Sequence, residues 1–133
     1  MPDAPVNWLA VLVAAGTSFA VGGLWYSPAM FLNAWNREAG RDPKTPGGHP
    51  AKVFGVAFLF CVVSAYVTAR FVAQAPSIAE SVGRAVSLGA GLVAASFGVN
   101  YQFASRSLLL WAIDAGYFVA QFAVYGLVLG MWR

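Results

Sequence analysis

One acidic residue, Asp114, lies within a long apolar stretch of the sequence. It lies about six residues into the last predicted helix, and about 9 Å from the helix start, because an α-helix rises about 1.5 Å per residue. A carboxylate at the centre of a bilayer costs about 2.5–3.5 kcal/mol. We therefore expect Asp114 to face protein or a water pocket. Tyr117, Gln121 and Tyr125 follow it by 3, 7 and 11 residues, which places these side chains on one helix face.

Further polar and aromatic side chains are expected at the same edge of the membrane. Asn100 and Arg106 precede Asp114, and Trp25 and Tyr26 end the first apolar stretch. Together they provide an amide, a guanidinium, a carboxylate and aromatic walls, which is the chemistry of a small ligand site. Arg106 is the expected ion-pair partner of Asp114 because it begins the same helix. Since eight residues span about 12 Å of helix, a direct bond requires the loop to fold over.

Three roles for this group stay open on the sequence. In the first, Asp114 and Arg106 cap and align helices without a ligand. In the second, they form a site for a ligand, an ion or a proton. The third role is catalysis, but the sequence has no second buried acid near Asp114, no intramembrane histidine and no HExxH, GxSxG or Ser-His-Asp pattern. We therefore predict that the protein is not an enzyme and uses no cofactor.

The composition is that of an integral membrane protein. Of the 133 residues, 59% are hydrophobic and 10% are charged, with a mean hydropathy of +0.66. A soluble domain carries about 25% charged residues, so the exterior of this chain must face lipid. Cys61 and His49 are the only residues of their types. A disulfide framework or a Cys/His metal site within one chain is thereby excluded, and we expect no metal.

The basic residues indicate membrane topology rather than a nucleic-acid partner. The net charge is +3, but the eight Lys and Arg residues are scattered over loops and helix ends and form no basic patch. Five lie at the predicted loops one and three, and three lie at the opposite side: Arg37, Arg41, Lys44, Lys52 and Arg106 against Arg70, Arg84 and Arg133. This bias predicts cytoplasmic loops one and three, with both termini outside.

Four apolar segments are long enough to cross a bilayer of about 30 Å. The sequence thus predicts an all-α polytopic fold, a bundle of four transmembrane helices that forms a single domain over residues 1–133. The predicted spans are residues 7–26, 51–73, 78–103 and 108–132. Ser77 and Glu80 have the spacing of a capping box before the third span.

A short interfacial helix is predicted at residues 28–39, directly after the first span. Ser27 is its expected N-cap and Pro28 its first residue. Phe31 and Trp35 share one side of this helix, and Gly40 is expected to end it. Residues 40–50 contain three prolines and three glycines, which predicts a loop.

Small residues recur at every fourth position of three predicted spans. Such spacing lets membrane helices approach closely, and it predicts packing within the bundle or against a homo-oligomer or a membrane partner subunit. The expected packing residues are Ala10, Ala14, Ser18 and Gly22 in the first span, Gly83, Ser87, Gly91 and Ala95 in one row and Ala90, Ala94 and Gly98 in a second row of the third, and Gly126 and Gly130 in the fourth.

Two motifs, "LWYSP" at residues 24–28 and "IDAGY" at residues 113–117, resemble the bacterial integral-membrane family known as domain-of-unknown-function family 1761. The similarity extends over nearly the whole chain in length, order and spacing. It implies four membrane helices in a small bacterial protein of unassigned function, and it transfers no catalytic residue. The Pro- and Gly-rich loop after Gly40 differs from the more charged linker expected there.

We predict a structural or interaction component of the bacterial cytoplasmic membrane, acting as a homo-oligomer or with a partner subunit. The alternative is a minimal transporter or proton-linked permease, with its polar site around Asp114, Arg106 and Asn100.

Overall fold

The structure is a computed structural model that describes residues 5–42, 44 and 48–132. Over these ranges it contains helices and connecting segments but no strand. Four helices are long and apolar enough to cross a membrane: α1 (Trp8–Trp25), α3 (Pro50–Val72), α4 (Ile78–Phe103) and α5 (Leu108–Met131). One short helix, α2 (Leu32–Ala39), follows α1. The predicted all-α class with four spans is confirmed; Arg133 and much of the predicted loop 40–50 lie outside the described residues.

Side chains just before the long helices set where these helices begin. The Asn7 side chain accepts a hydrogen bond from the first turn of α1, and Ser77 does the same for α4. His49 caps α3, which starts at Pro50, one residue earlier than predicted. The capping box before α4 forms only in part, because the Glu80 carboxylate bonds Arg84 at 3.1 Å.

The predicted interfacial helix is shorter at its start than the sequence indicated. Helix α2 begins at Leu32 with Phe31 as N-cap, not at Pro28. The Ser27 hydroxyl donates to the Leu24 carbonyl at 2.7 Å, so it satisfies the end of α1 instead of capping α2. Ser27 and Pro28 thus end α1, and residues 28–31 form turns.

Two left-handed residues direct the loops at this end of the bundle. Gly40 ends α2 with φ of 69°, as its position predicted. Ser105, two residues after the end of α4, has φ of 58°, a backbone conformation that residues other than glycine rarely adopt. The next amide bonds back to the last helical turn in each case, Arg41 to Asn36 and Arg106 to Tyr101. The sharp turn at Ser105 directs the α4–α5 loop towards α2.

Helices α4 and α5 pack at very close range. A Cβ atom on Gly126 would lie 2.7 Å from the Cα of Val82, and one on Gly130 would lie 2.9 Å from the Cβ of Ser81. The Ser81 hydroxyl also donates to the Gly126 carbonyl at 2.7 Å. The predicted packing role of Gly126 and Gly130 is therefore met within the chain, where small residues let two backbones approach.

The face of α4 that packs is not the first row predicted. Ser81, Ala85 and Gly89 are buried against α5. The predicted row Gly83, Ser87, Gly91 and Ala95 is exposed, and Cβ atoms on its two glycines would meet nothing within 4 Å. Both rows offer small residues at the same spacing, so the sequence did not distinguish them. The hydrogen bond from Ser81 fixes the other row inside.

A π-helical segment, Gly89–Ala94, changes the register in the middle of α4. One extra residue in this turn lets the buried row continue from Gly89 to Ala94 and then to Gly98, which belongs to the second predicted row. Trp111 of α5 covers this part, since its indole donates to the Ala94 carbonyl at 2.9 Å. A Cβ on Gly98 would lie 3.2 Å from the same indole nitrogen.

Helix α1 packs with its predicted row inward. Ala10, Ala14 and Ser18 have no exposed surface, and a Cβ on Gly22 would lie 3.1 Å from the Tyr117 hydroxyl of α5.

Helix α3 is buried along only part of its length. Its buried residues, Ala65, Thr68, Ala69 and Val72, all belong to the C-terminal half. Residues 51–60 are all exposed. The N-terminal half of α3 is therefore packed more loosely, with ring contacts from Phe54 and Phe58 to Phe19 of α1.

We predict that deletion of Gly91 is tolerated and deletion of Gly83 is not. Removing Gly91 converts the π-helical turn to α-helix and keeps Ala85 and Ala94 on one face, whereas removing Gly83 rotates Ser81 away from Ala85. Both glycines are exposed, and a Cβ atom at either would meet nothing within 4 Å. Neither deletion therefore removes a side-chain contact of the deleted residue itself. Thermal unfolding in detergent should give a near-wild-type midpoint for the first and a clearly lower one for the second. Equal midpoints would contradict the assigned register.

Candidate functional site

The Asp114 side chain is buried and accepts three hydrogen bonds from three different parts of the chain. It is 8% exposed. The Tyr26 hydroxyl donates to Oδ1 at 2.6 Å and the Trp35 indole to the same oxygen at 3.0 Å. The Tyr101 hydroxyl donates to Oδ2 at 2.5 Å. Neutral donors thus surround the carboxylate and replace the water that it loses on burial.

The donors reach Asp114 because of local features of the sequence. Tyr26 is the C-cap of α1, and Trp35 lies on α2, which the turns after Ser27 bring back across the bundle. Tyr101 lies in the last turn of α4, whose facing direction depends on the π-helical segment. These three residues and Asp114 join four helices at one end of the bundle.

The two motifs that carry the family resemblance meet at this point. The Trp25 indole donates to the Ile113 carbonyl at 2.9 Å, and its ring covers Gly116, where a Cβ would lie 2.9 Å from a ring carbon. Tyr26 and Asp114 form the next contact along the two helices. The Trp-Tyr pair of one motif and the Asp and Gly of the other therefore meet in one packing contact.

Burial and the neighbouring carboxylate act together on Tyr26, which lies just beyond α1. Desolvation first, and then the hydrogen bond and negative charge of Asp114, raise the pKa of Tyr26 well above its ordinary value. The phenol therefore keeps its proton across the physiological pH range and stays a hydrogen-bond donor.

The predicted ion pair between Arg106 and Asp114 is wrong. Arg106 donates to the Ala39 carbonyl at the end of α2 at 3.2 Å. Beside it, the Ser107 hydroxyl donates to the Glu38 carboxylate at 2.7 Å. The turn at Ser105 sends the loop outwards to α2, and the C-terminal carbonyls of a helix attract a cation. Arg106 thus joins loop three to α2 and does not neutralise Asp114.

Asn100 is also not part of the Asp114 site, because it lies exposed on α4. Tyr101, the next residue, occupies the inward position instead. Only a knowledge of the π-helical turn indicates which of the two faces α5. Trp35 was placed on the interfacial helix by its spacing from Phe31, but its bond to Asp114 has no signal in the sequence.

The polar residues below Asp114 connect α5 to α1 and α3. The Tyr117 hydroxyl donates to the Ser18 carbonyl at 3.1 Å. The Gln121 amide nitrogen contacts the Ser18 hydroxyl at 3.4 Å and the Cys61 sulfur at 3.1 Å. The Tyr125 hydroxyl donates to the Cys61 carbonyl at 3.1 Å. None of these three side chains bonds Asp114, so the stripe divides into an upper and a lower group.

A cleft of about 750 Å³ lies beside the exposed N-terminal half of α3. Its walls come from α1, α3, α4 and α5, and they are mostly apolar. The aromatic lining residues are Phe19, Phe54, Phe60, Phe97, Phe118 and Phe122. The polar lining residues are Tyr26, Cys61, Ser64, Tyr117 and Gln121. Tyr26 is the one of these that also bonds Asp114.

Among the described residues, no group of three or more His, Cys, Asp or Glu side chains is arranged to hold a metal ion. The chemical groups assembled here are hydroxyls, indoles, an amide, a thiol and one carboxylate.

Four apolar helices of membrane-crossing length, joined by buried polar contacts, define a polytopic helical membrane protein. The family described as "Protein of unknown function (DUF1761)" matches residues 9–130, and the chain belongs to that family. The resemblance carried by the two motifs is thereby confirmed, and the function is unassigned. Comparisons with curated proteins and with solved structures found no match.

We predict that Asp114→Asn lowers the free energy of unfolding by about 1–3 kcal/mol. The substitution replaces one carboxylate oxygen by an amide nitrogen, which cannot accept a hydrogen bond, so at least one buried donor loses its acceptor. Tyr101→Phe removes one of the three bonds and should cost less. Asp42→Asn in the exposed loop is the control and should change stability by less than about 0.5 kcal/mol. Thermal unfolding in detergent measures all three. Unchanged stability of Asp114→Asn would contradict a structural role.

Proposed function

We propose that the protein is a non-catalytic component of the bacterial cytoplasmic membrane that assembles with a second copy of itself through the outward face of α4. This face, the α4 row, consists of Gly83, Ser87, Gly91 and Ala95. Its exposure is the observation that supports the proposal most directly. The row is exposed along its whole length.

The chemistry of the α4 row favours contact with another helix. Cβ atoms at Gly83 and Gly91 would meet nothing within 4 Å, so a partner backbone has room to approach. Lipid chains are as apolar as helix surfaces, and close packing of small residues therefore contributes much of the association energy in a bilayer. The Ser87 hydroxyl donates to the Gly83 carbonyl at 2.8 Å, so the row carries no unsatisfied hydroxyl into lipid.

A second copy is the partner that fits this face best. Two identical rows can meet about a two-fold axis, where each small residue lies opposite another, and closed two-fold dimers are the commonest oligomers. An interface with a different subunit requires a separate complementary row. The test below also detects binding to a subunit of different sequence.

The contacts of Asp114 support a structural role for the residue rather than a site of turnover. Both carboxylate oxygens accept bonds from the protein, and the donors belong to three helices. The transporter alternative stays a prediction: loss of a transport or pH response in Asp114→Asn, with stability unchanged, would favour it over the structural role.

We predict that Gly83→Leu lowers the dimer fraction and leaves the monomer folded. Leucine at this position fills the space that the partner backbone needs. Gly55→Leu on α3 is the matched control, because Gly55 is also exposed and also has no neighbour within 4 Å of an added Cβ. Native mass spectrometry in mild detergent measures the dimer fraction. A wild-type protein that is monomeric at all concentrations would contradict self-association. So would a wild-type protein that is found only in complexes with a subunit of different sequence.

The distribution of basic residues supports an orientation with α2 on the cytoplasmic side. Arg37 and Arg41 lie in or beside α2, and Arg106 bonds to its last residue. Positive residues are retained on the cytoplasmic side of bacterial membranes.

We predict that Gln74→Cys reacts with a membrane-impermeant maleimide in intact cells and that Lys44→Cys reacts only after the cells are opened. Both positions are exposed and lie at opposite ends of the bundle. A Cys61→Ala background removes the native thiol, the chain's only cysteine, and serves as the unlabelled control. The reverse pattern would contradict the orientation.

A further inference from the structure

We infer that the cleft beside α3 is a binding site for a neutral membrane lipid whose polar end is a hydroxyl group. This inference is independent of self-association, because the α4 row does not line the cleft.

The size and setting of the cleft suit a lipid. Its volume of about 750 Å³ lies within the range of about 300–1,000 Å³ that is typical of ligand sites. Residues 51–60 of α3, which form one side, are exposed and belong to a membrane-crossing helix. The medium next to the opening is therefore hydrocarbon. The phenylalanine side chains of the walls contact an alkyl chain favourably, whereas water would have few partners there.

The charge of the lining residues selects a neutral ligand. The residues that line the cleft include no Asp, Glu, Lys or Arg. Asp114 lies behind Tyr26, and its two oxygens already accept three bonds. A phosphate, carboxylate or ammonium group in the cleft would have no counter-charge in a medium of low dielectric constant, which is strongly unfavourable.

The polar wall of the cleft selects a hydrogen-bond donor. The Tyr26 and Tyr117 hydroxyls use their protons on Asp114 and on the Ser18 carbonyl. The Gln121 side chain is 2% exposed, and its amide nitrogen bonds two partners, Ser18 and Cys61. What these groups still offer is acceptor capacity, namely phenol lone pairs and the amide oxygen of Gln121. A ligand hydroxyl can donate to them. A ligand that only accepts would find only the weak S–H donor of Cys61, because the Ser64 hydroxyl donates to the Cys61 carbonyl.

Two glycines of α1 provide a test with a matched control. Gly23 lines the cleft and Gly16 does not. A Cβ at either position would meet nothing within 4 Å. Leucine at Gly23 should therefore occupy the cleft without disturbing the packed helices, and leucine at Gly16 should extend into open space on the same helix. Ala57→Phe fills the cleft from α3 and serves as a second blocking variant if Gly23→Leu unfolds.

The experiment is photolabelling of the full chain in nanodiscs with a diazirine derivative of hexadecanol, with peptide mapping by mass spectrometry. We expect labelling of residues 53–64 and 93–97, competed by excess hexadecanol and not by hexadecanoate at the same membrane mole fraction. Gly23→Leu should lose the competed labelling and Gly16→Leu should retain it. Equal labelling of the two variants, or label spread evenly over exposed helix faces, would overturn the site. Equal competition by hexadecanoate would overturn the assignment of a neutral hydroxyl ligand.

Discussion

The hydrogen bonds that Asp114 accepts from Tyr26, Trp35 and Tyr101 join α1, α2 and α4 to α5 at one end of the bundle. Within a bilayer, burial of apolar surface does little to hold helices together, because lipid solvates them as well as protein does. Polar bonds and close backbone contact therefore decide the arrangement. A buried carboxylate is a strong constraint of this kind, since leaving it without donors costs more than leaving a neutral group unpaired. The loop connections at this end follow from that constraint.

The two ends of the bundle are held by different means. Towards the α3–α4 connection, Ser81 and the glycines of α5 bring two backbones together, and the C-terminal half of α3 packs on them. At the Asp114 end, aromatic donors join α1, α2, α4 and α5 but include no residue of α3. The N-terminal half of α3 stays exposed apart from the ring contacts that Phe54 and Phe58 make with Phe19 of α1, and the cleft forms beside it. One end of the bundle is therefore tightly packed and the other contains a cleft for the same reason. The polar contacts hold α3 at the first end and do not include it at the second.

The π-helical segment of α4 links these two ends. Before it, Ser81, Ala85 and Gly89 pack on α5; after it, Ala94 and Gly98 continue the contact and Tyr101 reaches Asp114. If the same residues formed a regular α-helix, the face after the segment would turn and the last donor would point elsewhere. Such segments often mark functional positions in helices, and here Val93 and Phe97, within and just after the segment, also line the cleft. One irregular turn therefore serves both the aromatic site and the opening next to it.

The sequence by itself determined the number of membrane-crossing helices, most of their ends and the inward row of α1, because hydrophobic length and capping are local properties of the chain. It also pointed to Asp114, since a lone acid in an apolar stretch needs partners. Only the tertiary structure decided who those partners are. Charge attraction made Arg106 the obvious choice, but the turn at Ser105 carries it to α2, and neutral aromatic donors take its place. Likewise, two rows of small residues on α4 look alike in one dimension, and only the position of α5 decides which is buried.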